Sequence, residues 1–338
     1  MRILLASDAW TPQVNGVVVT LQNTKRELQA AGHEVEVVGP DRFLTLPCPT
    51  YPEIPLALWP ARTLASILAS FQPEAVHIAT EGPIGIALRR LCLRRAMAFT
   101  TSYHTRFPEY LHARTRVPTA WTYSWLRRFH APAQAVMVST AAIQDDLRQR
   151  GFERLVRWSR GVDTALFRPA PRLENGWSRP VFMFVGRVAV EKNIGAFLDL
   201  DLPGIKIVVG DGPQRASLQR RFSDSVVFTG AKAGEELAAH FRSADVLVFP
   251  SRTDTFGLVL IEAMACGTPV AAYPVPGPLD VVKQGESGML DEDLRRAALA
   301  ALELDREKVQ RHALSFSWRN ATSQFLQHLR PHAQPGSA

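Results

Sequence analysis

Ten short runs of Val, Ile, Leu, Phe and other apolar residues recur along the chain, and most are followed by a turn and a stretch of helical periodicity. They fall at residues 3–7, 34–38, 75–79, 99–103 and 136–139, and again at 181–185, 205–209, 226–229, 246–249 and 269–272. Runs of this kind suit strands covered on both faces, and strands separated by helices pair in parallel. Two of the intervening helices read clearly. Over 16–31, Val17, Leu21, Thr24 and Leu28 share one face and Gly32 closes the helix; a second runs over 141–150 and stops at Gly151.

A chain of 338 residues exceeds one usual domain and predicts two. The Pro-rich, aperiodic stretch at 169–180 is read as the linker. The expected division is an N-terminal Rossmann-like domain over 1–168, a second over 181–316, and a tail helix over 317–330. Doubly wound sheets bind ligands at the carboxyl ends of their strands. Cys48, Cys92 and Cys266 have no metal-ligand spacing, and so sparse a set fits a reducing compartment. Arg2 is followed by a short strand and not by a leader-type apolar run, and no stretch of about 20 apolar residues occurs. Charge is uneven: from Gly82 to Gln144 there are nine arginines and one acid, Glu109. Such a field attracts nucleic acid, anionic lipid or a phosphorylated substrate.

Residues 250–271, Pro-Ser-Arg-Thr-Asp-Thr-Phe-Gly-Leu-Val-Leu-Ile-Glu-Ala-Met-Ala-Cys-Gly-Thr-Pro-Val-Ala, carry the densest chemistry. They follow a strand and predict a helix capped by Asp254 or Thr255 and ended at Gly267. The amides of Phe256, Gly257 and Leu258 then open the first turn, where an anion is favoured. Asp254 and Glu262 lie at most about 12 Å apart along a helix. A nucleotide-diphosphate sugar has the matching layout: hydroxyls at both ends and phosphates between.

This segment resembles the acid-x7-Glu motif of the retaining family 4 glycosyltransferases, with Asp254 where Glu is usual. The Gly186-Arg187-x4-Lys192 element resembles the same family's donor-phosphate site, and Arg and Lys both suit a diphosphate on their own chemistry. The resemblance spans nearly the whole chain. It implies a GT-B fold, two Rossmann-like domains facing a central cleft with the tail helix crossing back to the first. By the same resemblance Gly16, after Asn15, and Gly186 approach the donor; Arg187 and Lys192 hold the diphosphate with the amides of Phe256, Gly257 and Leu258. Asp254 contacts the transferred sugar, Glu262 the ribose, and His104 the sugar from the other domain. Catalytic roles fall to His104, Arg187, Lys192 and Asp254.

Glu81, Tyr103 and Arg106 are candidates on the acceptor side, although an acid at a helix start accounts equally for Glu81. The turn at 209–213, Val-Gly-Asp-Gly-Pro, is no dinucleotide fingerprint, since Arg215 stands at the third glycine position. Asp199-Leu-Asp201 and Asp291-Glu-Asp293 read as solvated acids, so no metal or other cofactor is expected. Arg114, Arg116, Trp121, Trp125, Arg127 and Arg128 mix cations with aromatics. That mixture suits an anionic membrane surface, a nucleic acid, or a basic helix with its Trp residues in the core.

The resulting expectation is a cytoplasmic enzyme on the inner face of the membrane, moving a hexose from a nucleotide-diphosphate sugar to a lipid acceptor. Resemblance to glycolipid synthases suggests diacylglycerol and UDP-linked glucose or glucuronate. Resemblance to α-mannosyltransferases suggests GDP-mannose and a lipid or saccharide. A non-enzymatic nucleic-acid-binding protein is the alternative from another class, but it does not need the paired motifs.

Overall fold

The computed structural model describes residues 1–331 except 14, 49, 50 and 175, and at 51–53 the backbone alone. The chain forms two compact units, Met1–Ser159 joined by the segment from Trp318, and Arg160–Ser317. Each is built on a six-stranded sheet that is parallel throughout.

In the first unit the strand order is Glu34–Val38, Arg2–Ala6, Ala75–Ile78, Thr100–Tyr103, Val136–Val138 and Leu155–Arg157. Both faces are covered, which is why the strand sequences read as unbroken apolar runs. Ile3 and Leu5 enter one core with Leu21, Leu28 and Trp158, while Leu4 and Ala6 enter the other with Leu64, Leu68 and Leu88. The tail helix Trp318–His328 belongs to this unit: it packs on the Gly16–Ala30 helix, and Phe325 and Leu329 complete the Ile3–Leu5 core.

In the second unit the order is Val226–Gly230, Ile205–Val209, Val181–Val185, Val246–Phe249, Val270–Ala272 and Gly288–Leu290. Met183 and Phe182 again face opposite cores. This unit begins ahead of the Pro-rich segment, because Val162 and Phe167 are buried in its core and the Val162 amide donates to the Phe316 carbonyl. The Pro-rich segment itself is held against the same unit, with Arg172 and Arg179 on Asp245 and the Leu173 amide on Ser243 Oγ.

Three features are absent from the sequence reading. Leu155–Arg157 and Gly288–Leu290 are three-residue edge strands that contain an arginine and a glycine and so leave no unbroken apolar run. Thr45–Cys48 and Tyr51–Ala57 form an antiparallel ribbon in which Pro47 lies opposite Pro55. Proline is confined to edges and irregular pairs in sheets, so a Pro-rich stretch argues against a strand until its isolated position is known.

Candidate functional site

In each sheet the chain reverses direction beside its first strand, and this topology opens a crevice at the carboxyl ends of two neighbours. In the second unit those neighbours are Val181–Val185 and Val246–Phe249. The first delivers Gly186, Arg187 and the turn Val190–Lys192; the second delivers 250–257 and the helix Leu258–Ala265. The Lys192 ammonium meets Asp254 Oδ1 at 2.5 Å. Two further bonds join the loops: Asn193 Nδ2 donates to the Pro250 carbonyl at 3.1 Å, and Thr253 Oγ1 to the Glu191 carbonyl at 3.1 Å. Glu191 is itself buried, with Arg187 Nε 4.0 Å from its carboxylate.

The helix cap differs from the expectation. Gly257, at φ 82°, is the cap, and neither Asp254 nor Thr255 caps the helix. Phe256 is buried in the core against Phe316, which draws the chain inward before the helix can start. The turn out of that position takes left-handed backbone, and a Cβ at Gly257 would come within 3.0 Å of Leu260 Cδ1. Of the three amides expected in the first turn, only that of Leu258 is helical. The amides of Phe256, Gly257, Leu258 and Val259 nevertheless make no hydrogen bond among the described residues, so a row of donors is available.

Two carboxylates flank that row. Asp254 Oδ2 is buried without a hydrogen-bond partner among the described residues, a costly state that a donor hydroxyl would relieve. Glu262 is half-buried and has no partner among the described residues, and burial pushes its carboxyl up to about 7. The glycine turn at 210–212 lies against the same loop. A Cβ at Gly210 would sit 1.9 Å from the Gly186 carbonyl, and the Val188 amide donates to Asp211. Arg215 pairs with Asp211 at 2.7 Å and borders Gly230.

The acid pairs at 199–201 and 291–293 are engaged elsewhere: Asp199 with Arg221, Asp291 with Arg296, and Asp293 as a helix cap. Among the described residues no cluster of three or more His, Cys, Asp or Glu has metal-binding geometry.

In the first unit the reversal falls between Arg2–Ala6 and Ala75–Ile78. Gly16 opens its helix, with Asn15 Oδ1 accepting from the Val17 and Val18 amides at 3.0 and 3.1 Å. Alternation along 100–104 sends Thr100, Ser102 and His104 to one face and Thr101 and Tyr103 to the other. On the first face His104 Nε2 lies 2.8 Å from Ser102 Oγ, and the ring packs edge-on to Trp158. On the other, buried His130 bridges Thr101 Oγ1 at 2.9 Å and the Glu81 carboxylate at 3.2 Å. Tyr103 is a core residue beside Tyr123 and Leu126, and burial pushes its phenol well above the ordinary range. Arg106 is bound into a network with Asp146 at 2.8 Å and Glu109 at 3.5 Å.

The helices Phe107–Thr115 and Thr119–His130 settle where the tryptophans lie. Tyr123, Leu126 and Phe129 fill the core face, while Trp121 and Trp125 are 72% and 42% exposed. Trp121, Trp125 and Arg128 follow at helical spacing along one exposed stripe. Arg116 and Arg127 are exposed beside them, Arg127 donating to the Arg150 carbonyl, and Arg114 is half-buried. No helix among the described residues is long and apolar enough to cross a membrane. Ser102, His77 and His130 were not singled out from sequence. The period-2 pattern at 100–104 was the available signal for Ser102, whereas the histidines require strand pairing to be seen.

Comparison with known proteins is consistent along the chain. Residues 14–166 match the family model described as Glycosyltransferase Family 4, and residues 179–304 the model described as Glycosyl transferases group 1. A GDP-mannose-dependent alpha-mannosyltransferase of Mycobacterium tuberculosis is 31% identical over 86% of this chain and 83% of its own. The alpha-monoglucosyldiacylglycerol synthase of Streptococcus pneumoniae is 26% identical over 89% and 78%. Among solved structures, sucrose-phosphate synthase from Thermosynechococcus elongatus superposes with a TM-score of 0.77 at 21% identity, covering 96% of this chain and 97% of that one, which shows a shared fold.

Proposed function

This chain belongs to the family 4 glycosyltransferases, enzymes of GT-B fold that move a sugar from a nucleotide-sugar donor, and we propose that it transfers a hexose, with retention, to a lipid acceptor at an anionic membrane surface. The observation that carries the donor half is the convergence of Lys192, Asp254, the unpaired amides of 256–259 and Glu262 at one strand-order reversal. Arg187, Lys192 and the amides supply positive potential for a diphosphate, and Gly186 gives its loop room. Asp254 accepts from sugar hydroxyls and Glu262 from the ribose. Lys192 exchanges its Asp254 partner for the phosphates, or shares itself between them.

In this reading the bond from the sugar's anomeric carbon to the diphosphate oxygen breaks while the bond to the acceptor oxygen forms on the same face. The acceptor proton passes to the departing diphosphate. The protein's part is to hold charge as it develops on the leaving group and to orient both substrates. The positive groups are all protein atoms, so no metal is assigned. Within the first unit, His104, Gly16 and Glu81 are the residues we assign to sugar and acceptor hydroxyls.

The exposed Trp121–Trp125–Arg128 stripe supports the lipid half. Indole rings favour a membrane interface and arginines pair with anionic headgroups. The likeness to a glucosyldiacylglycerol synthase favours diacylglycerol and a UDP-hexose. A second reading, GDP-mannose as donor, is favoured by the more similar mannosyltransferase, which is 31% identical. A thermal-shift panel of UDP, GDP and their sugars tests the donor reading. The true nucleotide at 100 times its Kd stabilises by about 2.7 kcal/mol. No shift with any of them would refute it.

A further inference from the structure

The helix Pro83–Arg94 opens two residues after Glu81, yet Glu81 does not cap it. That duty falls to Asp8, a buried carboxylate just past the strand Arg2–Ala6. Asp8 Oδ1 accepts from the Ile84 amide at 2.8 Å, and Oδ2 from the Gly85 amide at 3.3 Å and from Thr80 Oγ1 at 2.9 Å. The Asp8 amide donates back to Thr80 Oγ1 at 2.6 Å. The approach is so close that a Cβ at Gly82 would lie 2.4 Å from Asp8 Cγ. The open amides of the helix are therefore satisfied by an acid 76 residues from Ile84, and the acid beside the helix in sequence is released from capping.

Glu81 turns to His130 instead. Its Oε1 lies 3.2 Å from His130 Nε2, and His130 Nδ1 lies 2.9 Å from Thr101 Oγ1. A carboxylate only accepts, so Nε2–H donates to it. The Thr101 hydroxyl can donate to the other nitrogen or accept from it, so the ring is satisfied whether neutral or charged. The imidazole is buried, edge-on to Phe129 and packed on Phe152. Its helix, Thr119–His130, is tied to the one that follows Glu81, because Arg89 donates to the Phe129 carbonyl at 2.7 Å and to the Arg128 carbonyl at 2.9 Å. The Glu81 side chain is 20% exposed, and its Oε2 makes no hydrogen bond among the described residues. The loop that carries it stands at the carboxyl end of Ala75–Ile78, where a doubly wound sheet binds its ligand.

We infer that His130 is a positioning residue: it holds Glu81 by one carboxylate oxygen, while Asp8 fixes the loop from the other side, and the second oxygen is presented to a hydroxyl of the acceptor. A hydroxyl fits that oxygen because it brings a proton to donate and no opposing charge. Holding the carboxylate beforehand removes the need to order it when the acceptor arrives. The inference rests on the acceptor role proposed for Glu81 in naming the hydroxyl; the Glu81–His130 pairing belongs to the protein alone.

Thermal unfolding of the full chain tests the pairing. Glu81→Met removes the acceptor, and His130→Phe keeps a ring against Phe129 and Phe152 but removes both hydrogen bonds. Each breaks the same bond, so the double variant should lose less melting temperature than the two single losses added together. Additive losses would overturn the inference. Transfer to diacylglycerol in vesicles, from whichever of UDP-glucose and GDP-mannose is the donor, tests the use of the pair. In His130→Phe, kcat/KM for the lipid should fall roughly tenfold, the scale of one lost hydrogen bond, with affinity for bare UDP or GDP within about twofold. His130→Gln, which still offers an N–H to Glu81, should recover most of that loss. A ring needed only for packing would reverse the order, so phenylalanine outperforming glutamine would overturn the inference. Wild-type kcat/KM in Glu81→Met would overturn the assignment to an acceptor hydroxyl and leave the pairing standing. If label enters a soluble saccharide and no lipid, the lipid reading fails, and glutamine should still outperform phenylalanine on the saccharide.

Discussion

Replacing Glu262 by glutamine should move stability and nucleotide affinity in opposite directions. Glu262 sits in the first turns of the Leu258–Ala265 helix with no partner among the described residues, and burial pushes its carboxyl from an ordinary 4.5 up to about 7. A folded-state value above the unfolded one means that ionisation costs the folded state. The penalty is absent below about pH 4.5, grows between 4.5 and 7, and is complete above 7. The full gap corresponds to about 3 kcal/mol, at about 1.4 per pH unit. Partial contact with water reduces it to roughly 1–2 kcal/mol. Glutamine keeps the size and removes the charge. Glu262→Gln should therefore raise the melting temperature at pH 8 by roughly 2–8 °C, with no gain at pH 4. Ribose hydroxyls would lose a charged acceptor, weakening UDP or GDP by about 1.5–3 kcal/mol. Calorimetry across pH and nucleotide titration measure the two effects on one protein. Unchanged nucleotide affinity would refute the ribose assignment, and a melting temperature at pH 8 below wild type would refute the account of an unpaired, desolvated carboxylate.

Lys192→Ala should lower kcat by roughly 10²-fold or more, the scale of losing one oriented electrostatic group; steady-state turnover of a folded variant checks this. It should also lower the melting temperature, since the half-buried Asp254 carboxylate loses its cation. Asp254→Asn should change sugar preference or kcat and leave bare-nucleotide affinity nearly unchanged, as isothermal titration beside turnover would show. Activity should survive EDTA. Loss on chelation with rescue by Mg²⁺ or Mn²⁺ would mean that a metal shares the diphosphate site.

The two sheets were legible because strands covered on both faces must be apolar at consecutive positions, and each leaves a run such as 181–185 or 246–249. The short edge strands were not, since Leu155–Arg157 contains an arginine and Gly288–Leu290 a glycine, which leaves no unbroken apolar run at either. The donor segment was legible as a list of residues but not as a geometry. Asp254 has the capping side chain that sequence logic assigns to a helix start, yet it lies beside Lys192, because burial of Phe256 and the left-handed turn at Gly257 delay the helix by several residues. Tyr103 shows the limit of reasoning from a strand's end: pleating alternates faces, so His104 and Tyr103 cannot both serve one side. The exposed tryptophans could not be told from core residues, because helical spacing fixes which side chains share a face and leaves open which face is buried.

The central claim is hexosyl transfer from a nucleotide sugar to lipid at an anionic surface. Its most direct measurement follows label from GDP-mannose and from UDP-glucose into the organic phase over vesicles with and without diacylglycerol and anionic lipid, at low and high salt. The account predicts lipid-extractable product from one donor, release of the matching nucleotide diphosphate, and loss of vesicle binding at high salt, where charges are screened within about 10 Å or less. Arg127→Glu with Arg128→Glu should weaken both binding and transfer and leave nucleotide affinity intact. Efficient transfer to a soluble saccharide, with no vesicle binding at low salt and no labelled lipid, would contradict it.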